Sequence, residues 1–444
     1  MTQTSSLSNS TTAESAGKEL RTKDFVEINA RYCAPTHAPI PIVIAKGRGA
    51  HVWDVEGNEY IDFLSAFSVV NQGHCHPRIV EAMLEQCPQL ALCTSALQNK
   101  TYPLLCKKIC DLLGYDLASS MSSGSEAVDL AIKIARKWGY NVKKIKPGQA
   151  KVLTVTGNYH GKTLGPLSGS STEAIKEGKT NSLHIRPFLP NVGPDVTGFP
   201  VRFNEIDDME KAFSSSGDEL AAVLIECVQG AGGCLPAEPG YLQAVQDLCS
   251  KHNVLFIADE IQTGFGRTGA LMAFQHDNLK PDLVIVGKAL TGGQYPMSLV
   301  LGNKTVMTQI KAGQHSSTYA ANPLASAVAI AAIDVTLSEN LPERSQRLGA
   351  ELMKRLSSIT SPHTDLKVTG KGLFCGLHFD ESHSFGRVTA QRLSALVMKR
   401  GVIAVAAQNK LRVAPPLTIS EEDLWKGVDI IEQALKDLLD TQEV

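Results

Sequence analysis

No block of like charge interrupts this 444-residue chain: 43 Lys and Arg stand against 45 Asp and Glu, both signs interspersed, for a formal net charge of −2. With no basic stripe, neither nucleic acid nor an anionic membrane is expected as a partner. Long apolar runs are equally scarce. The longest, Pro323 to Leu337, contains Ser326 and Asp334 and is short for a bilayer span, so a buried helix is expected there. The ten cysteines include no C-x-x-C pair, as suits free thiols in a reducing compartment. The first seventeen residues are rich in Ser and Thr but hold no Arg, whereas a mitochondrial presequence is Arg-rich and amphipathic; a disordered start and a cytoplasmic location are the expectation.

What is present is a large hydrophobic fraction, 43% of a length beyond the usual ceiling for one core, so two domains are expected. Val254 to Ala258 is a short apolar run with β-branched members, the pattern of a strand covered on both faces, and it stops at Asp259-Glu260. Leu283 to Val286 repeats the pattern and stops at Gly287-Lys288. Lys151 to Val155 and Ala221 to Ile225 read as further strands, the second ending in Glu226. Strands with polar endings, separated by helix-length segments, predict an α/β sheet with one crevice beyond the strands' carboxyl ends. An amine and a carboxylate facing that crevice suit a bound heterocycle: the lysine joins its carbonyl as an imine, and the carboxylate holds a proton on its ring nitrogen.

Arg31 to Pro41 holds three prolines and reads as an extended arm, and Ala50 to Phe63 as a hairpin around an Asp-Val-Glu-Gly-Asn turn. In Asn71 to Pro77, two histidines flank a cysteine, but they are too crowded for metal ligands and no second cluster follows, so a turn is expected. Ser122-Ser123-Gly124-Ser125 precedes a helix over Glu126 to Tyr140, with Ala127, Leu130, Ala131, Ile134 and Trp138 at helical spacing. Such a helix start suits a phosphate, although taken alone a plain Ser cap is the better explanation. Tyr159, at the end of a strand, could stack on a ring or simply be core. Gly264 to Gly269 matches G-x-G-x-x-G, yet five residues separate it from the strand and Lys288 stands where a dinucleotide site carries an acid.

The chain resembles the class III pyridoxal-phosphate aminotransferases from about Pro39 onward, and the ornithine aminotransferases most of all. The resemblance rests on Asp259-Glu260-Ile261-Gln262-Thr263-Gly264, Gly287-Lys288-Ala289-Leu290-Thr291-Gly292-Gly293 and Ser317-Thr318-Tyr319-Ala320-Ala321-Asn322-Pro323. Trp53 to Gly57, Val70 to Pro77, Ala135 to Tyr140 and Arg412 to Leu417 add to it. It implies a PLP-dependent transferase fold of type I: a large domain, residues 80–333, around a mainly parallel seven-stranded sheet. A small α+β domain would come from both chain ends, 37–79 and 334–444, after a flexible segment 1–36.

The resemblance also implies pyridoxal 5'-phosphate as cofactor, with Lys288 and Asp259 catalytic. Ser123, Gly124, Ser125, Tyr159, His160, Glu226 and Gln262 would line its site, and Ser317 and Thr318 would reach the phosphate of the neighbouring subunit in a homodimer. The implied reaction moves an amino group from ornithine or a related amino acid to a 2-oxo acid such as 2-oxoglutarate.

On the substrate side the chain departs from that family's pattern. Lys162 stands for an arginine that grips a carboxylate, losing the bidentate fork. Ala231 stands for a glutamate that masks the arginine matching Arg412. Phe67 and His37 stand for two tyrosines, and Phe67 lacks the hydroxyl donor. An exposed Arg412 suggests, as an alternative, chemistry at an α-carbon by an α-transaminase or epimerase. A catalytically idle binding subunit is a third reading, opposed by the intact Lys288, Asp259 and Gln262.

Overall fold

The computed structural model describes residues 20–36, 38–94, 96–170, 189–361, 366–379, 388–407 and 409–440. At its centre lies a seven-stranded sheet built from β1 (Leu117–Met121), β2 (Lys151–Leu153), β3 (Val192–Gly193), β4 (Leu220–Ile225), β5 (Leu255–Asp259), β6 (Leu283–Val286) and β7 (Ser298–Gly302), in the order β1-β7-β6-β5-β4-β2-β3. Only β7 runs against its neighbours β6 and β1; the pairs β6–β5, β5–β4, β4–β2 and β2–β3 are parallel. The all-apolar runs form the middle of this sheet because both of its faces are covered. Every residue of β4, β5 and β6 is buried. Each wholly buried Val, Leu or Ile there contributes about 1.5–3 kcal/mol of transfer free energy.

Helix α1 (Gly124–Asn141) covers one face, burying Ala127, Leu130, Ala131, Ile134 and Trp138. It begins in a capping box, in which Ser123 Oγ accepts from Glu126 N while the Glu126 carboxylate accepts from Ser123 N. A glycine at 139 lets it lie close to β4: a Cβ there would stand 2.9 Å from that of Ala221. The run from Pro323 becomes helix α2 (Pro323–Ser338), largely buried, and among the described residues no single helix is long and apolar enough to cross a membrane.

The hairpin is present as strands His51–Asp54 and Glu59–Asp62, extended by Ile44–Arg48 on one side and by Val402–Ile403, from the far end of the chain, on the other. A further sheet joins Leu366–Gly370, Cys375–Phe379, Lys410–Val413 and Ala406–Ala407. One hydrophobic cluster therefore unites Ala50, Ile61 and Phe63 with residues between Leu341 and Leu435, separate from those around the central sheet.

One place differs from the pattern expected: the segment before the arm forms a helix, Thr22–Tyr32, whose apolar face, Phe25, Ile28 and Tyr32, is not buried. Gly264 to Gly269 forms turns, followed by a 3-10 helix at Ala273–Asp277. Its glycines serve close packing instead: a Cβ at Gly266 would meet Pro342 N at 3.1 Å, and one at Gly269 would meet Gln346 Cα at 3.0 Å. Arg267, wholly buried within this loop, donates to Asn71 Oδ1 (3.1 Å) and to the carbonyls of Leu373 (2.9 Å) and Pro415 (2.7 Å). It pins the loop to segments from both chain ends.

Candidate active site

Because β4, β5 and β6 are adjacent and parallel, their carboxyl ends bring Glu226, Asp259 and Lys288 to one place. A cavity of about 200 Å³ opens there, lined by Ser123, Gly124, Ser125, Tyr159, His160, Gly161, Glu226, Asp259, Ile261, Gln262 and Lys288. Each end of this cavity has its own chemistry. At one end, the start of α1 presents backbone N–H groups that have no acceptor within the helix, together with the positive end of its dipole. At the other, Asp259 accepts from Ile261 N (3.1 Å) and faces His160 Nδ1 (2.7 Å).

Lys288 sits just past β6 with φ +47, a left-handed turn that sends the side chain back over the sheet ends. Burial pushes its amine down to about 8; the nearby carboxylates of Asp259 and Glu226 oppose that shift, and the Arg412 guanidinium adds to it. A buried amine near neutrality is a competent nucleophile and base. Burial pushes the Glu226 carboxyl up to about 7, although the N–H groups of Tyr159 (2.9 Å) and Gly230 (3.2 Å) donate to it. That carboxyl ties the strand end at Tyr159 to the loop after Glu226.

The substrate side is built from more distant pieces. Ser65 to Ser68 form a left-handed turn, φ 51, 47, 62 and 67. Such backbone costs about 1–2 kcal/mol per residue and persists only where the surroundings impose it. Asp62 caps it by accepting from Leu64 N (2.7 Å) and Ser65 N (3.0 Å), and Ser65 Oγ donates to Ala414 O (2.6 Å). The turn lays the Phe67 ring 5.2 Å from Arg412 Cζ and offers the Phe67 carbonyl to Gln262 Nε2 at 3.2 Å. Arg412 also lies 5.9 Å from the Phe374 ring and donates to Gly230 O at 2.9 Å. Among the described residues no carboxylate pairs with it, and Ala231 is the residue that follows its carbonyl partner.

Of the other residues singled out from sequence, Lys162 is exposed and does not line the cavity. Ser317 also lies outside the lining, with its Oγ 3.0 Å from Ser122 Oγ and 3.4 Å from Glu126 Oε1, and Thr318 is exposed. His37 lies outside the described residues. His74 and His76 point to carboxylates, Asp62 at 2.7 Å and Glu339 at 3.0 Å. The sequence reading passed over Asn158, Gln229 and Ile261. Ile261 was visible only as part of a motif, Asn158 stands two residues before His160, and Gln229 reaches them through contacts that no local pattern encodes.

The family model for class-III aminotransferases matches residues 32–435. The chain is a class-III aminotransferase. It is 43% identical to the ornithine aminotransferase of Schizosaccharomyces pombe over 94% of either chain, and 40% identical to the mitochondrial ornithine aminotransferase of Arabidopsis thaliana over 93% of this chain and 85% of that one. Among solved structures it is similar to the ornithine aminotransferase of Toxoplasma gondii (TM-score 0.89, 34% identity, 96% and 97% of the two chains). The acetylornithine aminotransferase of Elizabethkingia anophelis is also similar (0.81, 39%, 94% and 99%). This aminotransferase thus has the type I fold of pyridoxal-phosphate enzymes, and its cofactor is pyridoxal 5'-phosphate. The cavity fits that group: a helix start for the phosphate, a carboxylate for the ring nitrogen and an amine for the carbonyl share one space.

Proposed function

We propose that this aminotransferase moves the terminal amino group of ornithine, or of a closely related amino acid, to a 2-oxo acid such as 2-oxoglutarate. The observation that carries this reading is the end-to-end similarity to ornithine aminotransferases, with Lys288 and Asp259 facing one cavity. Pyridoxal 5'-phosphate, when bound, supplies an aldehyde that takes up amines and a protonated ring that withdraws electrons from the carbon being deprotonated.

The chain's own residues supply the rest. Lys288 Nζ takes the proton from the substrate carbon and returns it on the far side of the transfer; an amine lowered to about 8 does both near neutral pH. The Asp259 carboxylate holds the proton on the ring nitrogen, with His160 beside it. The N–H groups of Gly124 and Ser125, next to the Ser123 cap, bind the phosphate. Tyr159 would cover the ring, and Gln262 and Glu226, which line the same cavity, would meet its polar groups. Arg412 binds a substrate carboxylate, steadied against Phe67; Lys162, Ala231 and His37 are the remaining positions we assign to substrate selection.

We further propose a homodimer in which Ser317 and Thr318 complete the partner's phosphate site. Division into a large part, 80–333, and a small part drawn from 37–79 and 334–444 is supported by the separate hydrophobic clusters. All ten cysteines are free, which supports a reducing compartment, the cytosol.

The test is direct. The purified enzyme is mixed with L-ornithine and 2-oxoglutarate, and cyclised semialdehyde is trapped with an aromatic aldehyde. Rapid colour together with glutamate formation is the expected result. Glutamate semialdehyde absent under conditions where other amino donors turn over would sink the ornithine assignment.

A further inference from the structure

Beneath the cavity, a line of buried side chains runs from Asp259 to the backbone at Thr156. Asp259 Oδ2 lies 2.7 Å from His160 Nδ1, and His160 Nε2 lies 3.2 Å from Asn158 Nδ2. Gln229 Nε2 then lies 2.8 Å from Asn158 Oδ1 and 2.7 Å from Thr156 O. Exposure is 3% at Asp259, 2% at His160, 0% at Asn158 and 2% at Gln229, so these groups must satisfy one another.

The direction of every bond follows from one fixed acceptor. The Thr156 carbonyl can only accept, so Gln229 turns its NH2 toward it. The same NH2 meets Asn158, which therefore presents its oxygen to Gln229 and its own NH2 to His160. His160 Nε2 accepts and bears no hydrogen. The ring's single hydrogen sits on Nδ1 and points at Asp259. Reversing Asn158 would set two NH2 groups face to face, and reversing Gln229 would oppose two oxygens; each arrangement leaves buried polar groups unmade at about 1–3 kcal/mol apiece. Gln229 is closely packed: a Cβ at Gly157, φ +84, would stand 2.3 Å from its Oε1, and one at Gly232 would stand 2.5 Å away; the orientation of its amide is set by the hydrogen bonds.

We propose that the Thr156 carbonyl, Gln229 and Asn158 form a tautomer lock that keeps His160 as the Nδ1–H ring, so that Asp259 receives a hydrogen bond while retaining its negative charge. The proposal rests on the reading of Asp259 as the partner of the cofactor's ring nitrogen. With the hydrogen on Nε2 instead, the Nδ1 lone pair would face the carboxylate, and Asp259 would lose the hydrogen bond that fixes its orientation toward the ring nitrogen. Asn158 and Gln229 are thus positioning residues, acting through His160 on a group they do not touch.

The tautomer is read by long-range proton–nitrogen NMR on the holoenzyme labelled at histidine nitrogen, with His160→Gln identifying the ring among the 12 histidines. In the wild type we expect a hydrogen-bearing Nδ1 and a bare Nε2. Asn158→Asp keeps the bond from Gln229 but turns an acceptor to Nε2, so both ring nitrogens should carry hydrogen. Gln229→Met frees Asn158 to turn, and mixed tautomers should result. In Gln229→Met kcat should fall on the order of 10- to 100-fold with KM nearly unchanged, and the pH profile of the bound cofactor's visible band should move, whereas Asn158→Asp, which keeps the hydrogen on Nδ1, should retain most of kcat. A hydrogen on Nε2 in the wild type overturns the lock. So does an unchanged tautomer and kcat in Gln229→Met, the milder variant should Asn158→Asp not fold. Full turnover and an unshifted band in Asp259→Asn would instead remove the reading of Asp259, a failure distinguishable because the wild-type tautomer is measured independently of it.

Discussion

Arg412 donates to a neutral backbone carbonyl, Gly230 O at 2.9 Å, and Ala231 is the position we propose leaves it without a masking carboxylate. Ala231→Glu should place a carboxylate within reach of the guanidinium. A charge-assisted bond of about 1.5–3 kcal/mol would then compete with substrate carboxylates. We expect KM for 2-oxoglutarate to rise about tenfold or more and the ratio of terminal-amine to α-amine products from ornithine to increase; an unchanged product ratio would show that position 231 does not set selectivity. Glu260 gives a second test. Burial pushes its carboxyl up to about 7 against the bond from Phe274 N (2.8 Å) and the Thr263 hydroxyl. The folded form therefore holds a proton that the unfolded chain releases near pH 4.5, and the resulting stability is lost as pH rises through about 7. Urea unfolding of the apo chain at pH 5 and pH 8 should show a smaller drop in Glu260→Gln than in the wild type, whereas equal drops would contradict the raised carboxyl.

Among the elements, the helix Leu341–Thr360 shows how close packing constrains composition. Its Gly349 abuts the backbone of Gly372, where a Cβ would come within 2.2 Å of the carbonyl carbon. Gly349→Ala should therefore destabilise the fold by about 1–3 kcal/mol, despite the better helix propensity of alanine, because backbone on the facing loop cannot step aside. Thermal unfolding with a Tm at or above that of the wild type would refute this. The elements legible in sequence were those with a strong local cause: β5 and β6, continuous apolar runs; α1, with its spaced apolar positions and capping box; and α2, an apolar stretch too long for a strand. The helix Thr22–Tyr32 was missed, although Phe25, Ile28 and Tyr32 recur at helical spacing; in the structure it buries none of its residues. The left-handed turn at Ser65 to Ser68 was not read either, because no propensity favours it and distant Ala414 and Gln262, with Asp62, help hold it there.

For the whole molecule, the proposed sharing of sites between subunits has a quantitative consequence. Thr318→Asp would repel the partner's phosphate, and Lys288→Ala removes the amine, so each variant alone should be nearly inactive. Mixed and reassembled in equal amounts, they should recover roughly a quarter of wild-type activity, since half of the dimers are hybrids and each has one intact site. No recovery would mean that position 318 serves no neighbour. The sequence by itself determined the α/β class and the cofactor family, because strand burial and the motifs at strand ends are written in adjacent positions. Only the tertiary structure decided which of these residues meet: that Arg412 rests on Phe67 and a carbonyl, that Lys162 stands outside the cavity, and that Thr156, Gln229 and Asn158 govern His160. Most of those contacts, to Gln229 and to Arg412, join segments far apart along the chain, and their geometry depends on how strands and loops pack against one another, which no local pattern of residues specifies.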